Sequence, residues 1–163
     1  LAIRYNTNVE VIQYLCNTFK DTIDINQQNN NGDTAFTLAA CDNTNVEVIQ
    51  YLYTTFKDVI DINKQNEYGN TIFMLAIRYN TNDEVIQYLC NTFKDTIDIN
   101  KQNNYDYENT IMLAAQYNIN DKIMMYLYNI FKDTIDINIQ NIRGYTILML
   151  TLQKSKNDYM IQY

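Results

Sequence analysis

Ten residues, NTFKDTIDIN, fill positions 17–26 and return letter for letter at 91–100, with near-copies TTFKDVIDIN at 54–63 and NIFKDTIDIN at 129–138. Such repetition constrains the fold before composition does. A sequence period of roughly 20–50 residues means stacked supersecondary units, none of which buries its apolar face alone. Here Leu1, Leu38 and Leu75 are each 37 residues apart, and Leu150 lies 75 beyond Leu75, or two units plus one residue. The extra residue falls around NNYDYENT, 103–110, where the third junction also lacks its glycine. Residues 1–26 and 75–100 differ only at Val9 versus Asp83, which marks duplication of a two-unit block rather than a special role for those residues.

Residues 66–100, NEYGNTIFMLAIRYNTNDEVIQYLCNTFKDTIDIN, hold one unit. TIFMLAIRY is apolar nearly all round, which predicts a short helix packed on both sides. NTN interrupts it. Beyond the break, Ile86, Leu89 and Phe93 recur at i, i+3 and i+7, an amphipathic helical stripe. Thr81-x-x-Glu84 reads as a capping box opening this second helix, its hydroxyl and carboxylate satisfying orphan backbone N–H groups. Thr7-x-x-Glu10 and Thr44-x-x-Glu47 repeat the box, and Ile119-x-x-Lys122 does not. TIDIN alternates Ile with polar residues and is expected to be extended. NEYGN supplies a turn, with Gly69 free to take positive φ. All three glycines, Gly32, Gly69 and Gly144, stand two residues before a Thr, and no proline contradicts the helices.

Composition narrows the function. Hydrophobic residues make up 47% of the 163, enough for a packed fold. Twelve Lys and Arg against 19 Asp and Glu give a net charge of −7 with no basic run. That disfavours nucleic acid, whose phosphates need a cationic face, and anionic membrane surfaces. The longest apolar runs, such as ILML at 147–150, fall far short of a bilayer span. Cys16, Cys41 and Cys90 form no C-x-x-C pair and there is no His to complete a metal site, so they read as packing residues in a reducing, intracellular setting. With no His and one Ser, Ser155, the chain is poor in catalytic groups. The recurring Asp21/Asp24, Asp58/Asp61, Asp95/Asp98 and Asp133/Asp136 read as helix ends and outer loops, because hard cations need several converging oxygens. No enzymatic activity, metal or cofactor is expected. Asn is abundant, with 25 residues, and its AT-rich codons suggest an AT-rich genome such as that of a large DNA virus or a protist.

The residues resemble the ankyrin repeat. GDTAFTLA at 32–39, GNTIFMLA at 69–76 and GYTILMLT at 144–151 are similar to that family's G-x-T-P-L-H-x-A segment. EVIQYL at 10–15, 47–52 and 84–89 looks like its second helix, and DIN ending at Asn26, Asn63, Asn100 and Asn138 like its closing D-V-N. The resemblance covers the whole chain. It implies an all-α solenoid of stacked helix-turn-helix units with hairpin-like turns. The expected organisation is a single array over 1–163, with a partial repeat 1–28, repeats 29–65, 66–102 and 103–140, and a partial repeat 141–163, a fragment of a longer array. Pro is replaced by Ala35, Ile72 or Ile147 and His by Thr37, Met74 or Met149, so the family's Thr–His polar network should be incomplete, with Met packing in its place. The unit is longer than the usual length of about 33 residues. A longer second helix or outer loop is therefore expected, anchored by Phe19, Phe56, Phe93 and Phe131, with Tyr14, Tyr51, Tyr88 and Tyr126 packed within the second helices.

The resemblance also implies a module that binds another protein through turn tips and inner helices. By motif position the tips are Asn30, Asn31 and Asp33; Glu67, Tyr68 and Asn70; Tyr105, Asp106, Tyr107 and Glu108; and Ile142, Arg143 and Tyr145. The first-helix ends, Arg4/Tyr5, Arg78/Tyr79 and Gln116/Tyr117, either face that concave surface or pack. The tips vary between units while the second helices barely do. Recognition produces that pattern, and so does drift at exposed turns; Tyr68, Tyr105, Tyr107 and Tyr145, amphipathic with few rotors, favour recognition. The expected partner is a protein with a basic or mixed patch, met by a monomeric chain in the cytoplasm or nucleus (of a host cell, if viral). The rivals are the substrate-recognition arm of a ubiquitin-ligase adaptor, an enzyme whose catalytic domain lies outside this segment, and a spacer with no ligand. The closing Asn of ankyrin repeats can be hydroxylated, and Asn26, Asn63, Asn100 and Asn138 match that position.

Overall fold

The computed structural model describes the backbone over residues 2–117 and 121–160, and side chains over 4–117 and 121–153. In chain order the helices are α1 (Ala2–Tyr5), α2 (Val9–Thr18), α3 (Ala35–Asp42), α4 (Val46–Phe56), α5 (Ile72–Tyr79), α6 (Asp83–Phe93), α7 (Thr110–Tyr117), α8 (Asp121–Phe131) and α9 (Ile147–Met160). No strand occurs among the described residues. Helices α1, α3, α5, α7 and α9 pack side by side in one row, α2, α4, α6 and α8 in a second, and α3, α5 and α7 each back onto the helix that follows.

That arrangement explains the apolar pattern. Helix α5 lies between α3 and α7 with α6 behind it, so every side chain from Ile72 to Ile77 is buried. Helix α6 packs less closely against α4 and α8 in its own row and buries only Val85, Ile86, Leu89, Cys90 and Phe93, leaving Gln87 and Asn91 in solvent. Each fully buried Ile, Leu or Phe contributes about 1.5–3 kcal/mol, so the sum over identical layers holds the stack together. Cys16, Cys41 and Cys90 are free thiols within this core. Burial pushes the Cys41 and Cys90 thiols up to about 12, far from the thiolate form that reacts.

The caps differ from the sequence reading. Asn8, Asn45 and Asn82, rather than the preceding Thr, cap the second helices, each carboxamide oxygen accepting the N–H of Glu10, Glu47 or Glu84 at 2.9 Å. The carboxamide also carries an NH₂ group on a separate atom, which can donate elsewhere while the oxygen caps. Asn45 Nδ2 donates to the Thr7 carbonyl and Asn82 Nδ2 to the Thr44 carbonyl, each at 2.7 Å, tying these two caps to the preceding unit. The other Asn of each NTN does the same: Asn43 donates to the Asn6 carbonyl, and Asn80 to the carbonyls of Ala40 and Asn43, all at 2.9 Å. The fourth copy of this connection, with Ile119, lies outside the described residues.

The first helices start on Thr34 and Thr71, whose hydroxyls accept from Thr37 and Met74 N–H. The network expected to be incomplete is closed at both junctions. Thr37 Oγ1 meets Thr34 Oγ1 at 3.0 Å, and Met74, fully buried, accepts the Thr71 N–H on sulfur at 3.4 Å. At the third junction Asn109 caps α7, and there Asn109 Nδ2 and Thr110 Oγ1 are buried without a partner. Met149, by contrast, is half exposed.

Two packing expectations fail at the start of the stack. Phe93 and Phe131 are buried and take ring partners from the preceding unit, Tyr53 at 4.7 Å and Phe73 at 6.2 Å. Phe19, with no ring partner from a preceding unit among the described residues, is exposed. Tyr51 and Tyr126 likewise reach back to Asn17 and Asn91 on the preceding second helix, whereas Tyr14 is exposed.

Candidate interaction groove

Each turn between units is a small finger organised by one Asn. Asn66 Oδ1 accepts the N–H groups of Tyr68 and Asn70 at 3.0 Å, and Gly69 N–H donates to the Asn66 carbonyl at 2.9 Å. Asn29 and Asn141 build the same finger. Adjacent fingers are joined by one backbone bond each: Glu67 N–H to the Asn31 carbonyl, Asn104 N–H to Tyr68, and Ile142 N–H to Asp106. Gly69 is required twice over, because its φ is +75° and an added Cβ would lie 2.5 Å from the Asn104 nitrogen. The third finger takes one more residue and places Tyr107 at φ +53° in the glycine's role, a left-handed conformation that costs a non-glycine residue about 1–2 kcal/mol.

Fingers and first-helix ends enclose a groove of about 380 Å³. Asn31, Asp33, Tyr68, Asn70, Tyr105 and Asp106 reach it from the fingers, and Arg4, Arg78 and Tyr79 from α1 and α5. A second concavity, about 270 Å³, is lined by Gln116 and Tyr117 of α7 with Arg143 and Tyr145. The first-helix ends other than Tyr5 thus face the concave surface. Tyr5 is exposed, with the Arg4 guanidinium 5.2 Å from its ring centre. Asn30, Glu67, Tyr107 and Ile142 are exposed. Tyr105 is the most open of the finger tyrosines, at 77%.

Glu108 is a correction. Expected at a tip, it is 2% exposed, and its carboxylate accepts from Gln116 Nε2 and from Asn141 Nδ2 at 3.3 Å. The extra residue in this finger turns the side chain inward, where it braces the turn and is closed to a partner. Asp42 and Cys41, on the other hand, line the groove although motif position did not select them. The available signal was the break in the Arg-Tyr pattern, which reads Cys-Asp at 41–42.

The charges in the groove are partly spoken for. Arg4 Nε donates to Asp42 Oδ2 at 2.6 Å, and this bond, outweighing burial, raises the guanidinium pKa above its ordinary value. Asp33 accepts from Asn66 Nδ2 at 2.8 Å. Arg78 instead lies 4.4 Å from the Tyr117 ring centre and 5.1 Å from that of Tyr79. On the closing segments, Asn26, Asn63 and Asn100 donate from Nδ2 to the carbonyls of Val59, Thr96 and Thr134 in the following unit. These residues belong to the seam between units.

No group of His, Cys, Asp or Glu among the described residues could hold a metal ion, and no described helix is long and apolar enough to cross a membrane. A comparison with curated proteins finds no significant match. A family model described as ankyrin repeats, three copies, matches residues 1–103, well over half of the chain. The repeat period, the two rows of helices, the Asn-built fingers and this match agree, and the chain belongs to the ankyrin repeat family.

Proposed function

We propose that the chain binds another protein through the groove between its fingers and its first helices. Ankyrin repeats are in general protein–protein interaction modules. The observation that supports this face in particular is convergence: Tyr68 and Tyr105, from segments that differ between units, open into one groove with Arg78 and Tyr79. Tyrosines of this kind offer wide contact at low entropic cost. Asp33, Glu67 and Asp106 on the fingers give that side an acidic character, which suits a partner with a basic or mixed patch.

The test is quantitative affinity purification from the native host. The intact chain is compared with a variant carrying Tyr68, Tyr105, Tyr107 and Tyr145 as Ala, with helical circular dichroism as the folding control. A partner captured by the first and lost by the second supports the groove. Equal capture by both moves binding to another face, and a chain that captures nothing behaves as a spacer.

A further inference from the structure

The local sequence LAIRYNTN occurs at 1–8 and 75–82, so Arg4 and Arg78 occupy the same position in the same helix ending. Their surroundings differ because the next unit differs. Arg4 meets Asp42 of α3 in an ion pair at 2.6 Å. Arg78 meets Tyr117 of α7 and makes no ion pair among the described residues. The amide next to Tyr117, on Gln116, is turned to Glu108.

From this contrast, and resting on the groove being the binding face, we infer that Arg78 is the seat for a carboxylate, an Asp or Glu side chain of the bound partner. Arg78 is half-buried, lines the groove, and carries its guanidinium over two tyrosine rings, 4.4 Å from the centre of Tyr117 and 5.1 Å from that of Tyr79. A guanidinium held this way keeps its in-plane N–H donors free for bidentate contact, and part of its ordering entropy is already spent. The carboxylates lining the groove do not close the seat: Asp42 is paired with Arg4, Asp33 accepts from Asn66, and Asp106 forms no ion pair with Arg78. Acidic fingers facing an unpaired arginine at the floor also orient the guest. Its acidic residue lies against α5 and its basic residues toward the fingers.

The test uses a phage-displayed library of random 12-residue peptides selected on the intact chain. Recovered peptides should share an acidic position. For the tightest of them, a Glu→Gln (or Asp→Asn) change in the peptide should weaken binding to the unaltered protein about tenfold or more. Arg78→Gln should weaken the original peptide to the same degree and the amide peptide no further, while Arg78→Lys should fall between. Because the peptide arm leaves the protein unchanged, an unstable Arg78 variant cannot mask the result. Peptides without a shared acidic position, or indifferent to Arg78→Gln, overturn the inference while leaving the groove intact. Failure to enrich any peptide, or peptides whose binding is unmoved by Tyr68→Ala with Tyr105→Ala, overturns both.

Discussion

At the seam between units, Asn26, Asn63 and Asn100 make one bond three times, each to a carbonyl in the following unit. At the fingers, Asn29, Asn66, Asn103 and Asn141 also repeat, yet the residues they present change from Asn30 and Asn31 to Glu67 and Tyr68, to Tyr105 and Asp106, and to Ile142 and Arg143. The two regions use the same carboxamide chemistry for opposite ends. In the seam Asn63 and Asn100 commit the carboxamide oxygen as well, accepting the N–H of Asp98 and Asp136, so variation there costs stability. In the fingers the Asn and the bonds between neighbouring backbones hold the turn, and the side chains at the tips vary. On the proposed reading, stability and recognition thus fall to different residues of one short turn.

The comparison can be broken most forcefully at Gly69. An added Cβ would lie 2.5 Å from the Asn104 nitrogen at φ +75°, so Gly69→Ala should cost on the order of 3 kcal/mol in thermal or urea unfolding. Gly144 shares the φ at +77° but faces open space, and Gly144→Ala should cost about 1 kcal/mol. Equal losses would mean that finger-to-finger contact is unimportant. In the seam, Asn80 donates to two carbonyls and accepts the Asn82 N–H. Asn80→Ala should lower stability by about 2 kcal/mol. Asn6, whose side chain accepts the N–H of Asn8, should lose about 1 kcal/mol or less on the same change. The third finger should respond with the opposite sign: Tyr107→Gly relieves a left-handed backbone at φ +53° and should gain about 0.5–1 kcal/mol.

The smallest effect near neutral pH comes from the core thiols. Burial raises Cys41 and Cys90 from the ordinary 9.0 to about 12. The unfolded chain therefore releases these protons first as pH rises. Their contribution is complete below pH 9 and is lost between 9 and 12, so urea midpoints should hold steady from pH 7 to 8 and fall progressively above 9. A midpoint that rises over that interval would contradict the burial of these groups.

Much of this architecture was legible in the sequence, because stacking imposes its period on every unit. The stripe of Ile86, Leu89 and Phe93 and the all-round apolar Ile72–Ile77 follow from local spacing, and both are buried as read. What local reading misses is contact across a whole unit. Thr81 and Glu84 look like a capping box until Asn82 is seen to hold Thr44, 38 residues away. Glu108 looks like a tip until the extra residue turns it onto Gln116 and Asn141. Arg4 and Arg78 are indistinguishable within identical octapeptides and diverge only through Asp42 and Tyr117 in the neighbouring helix. In a solenoid the chemistry of a position is set as much by the residue one unit later as by its own neighbours in sequence.

The central claim is that partners meet the groove rather than the outer helices. It is tested most directly by placing a photocrosslinking phenylalanine analogue at single sites and irradiating the chain in its native host. Positions 68 and 105 open into the groove, while Tyr14 and Val59 are exposed on a second helix and an outer loop. The account predicts a discrete partner adduct from positions 68 and 105 and none from 14 and 59. Adducts confined to positions 14 or 59 would contradict it.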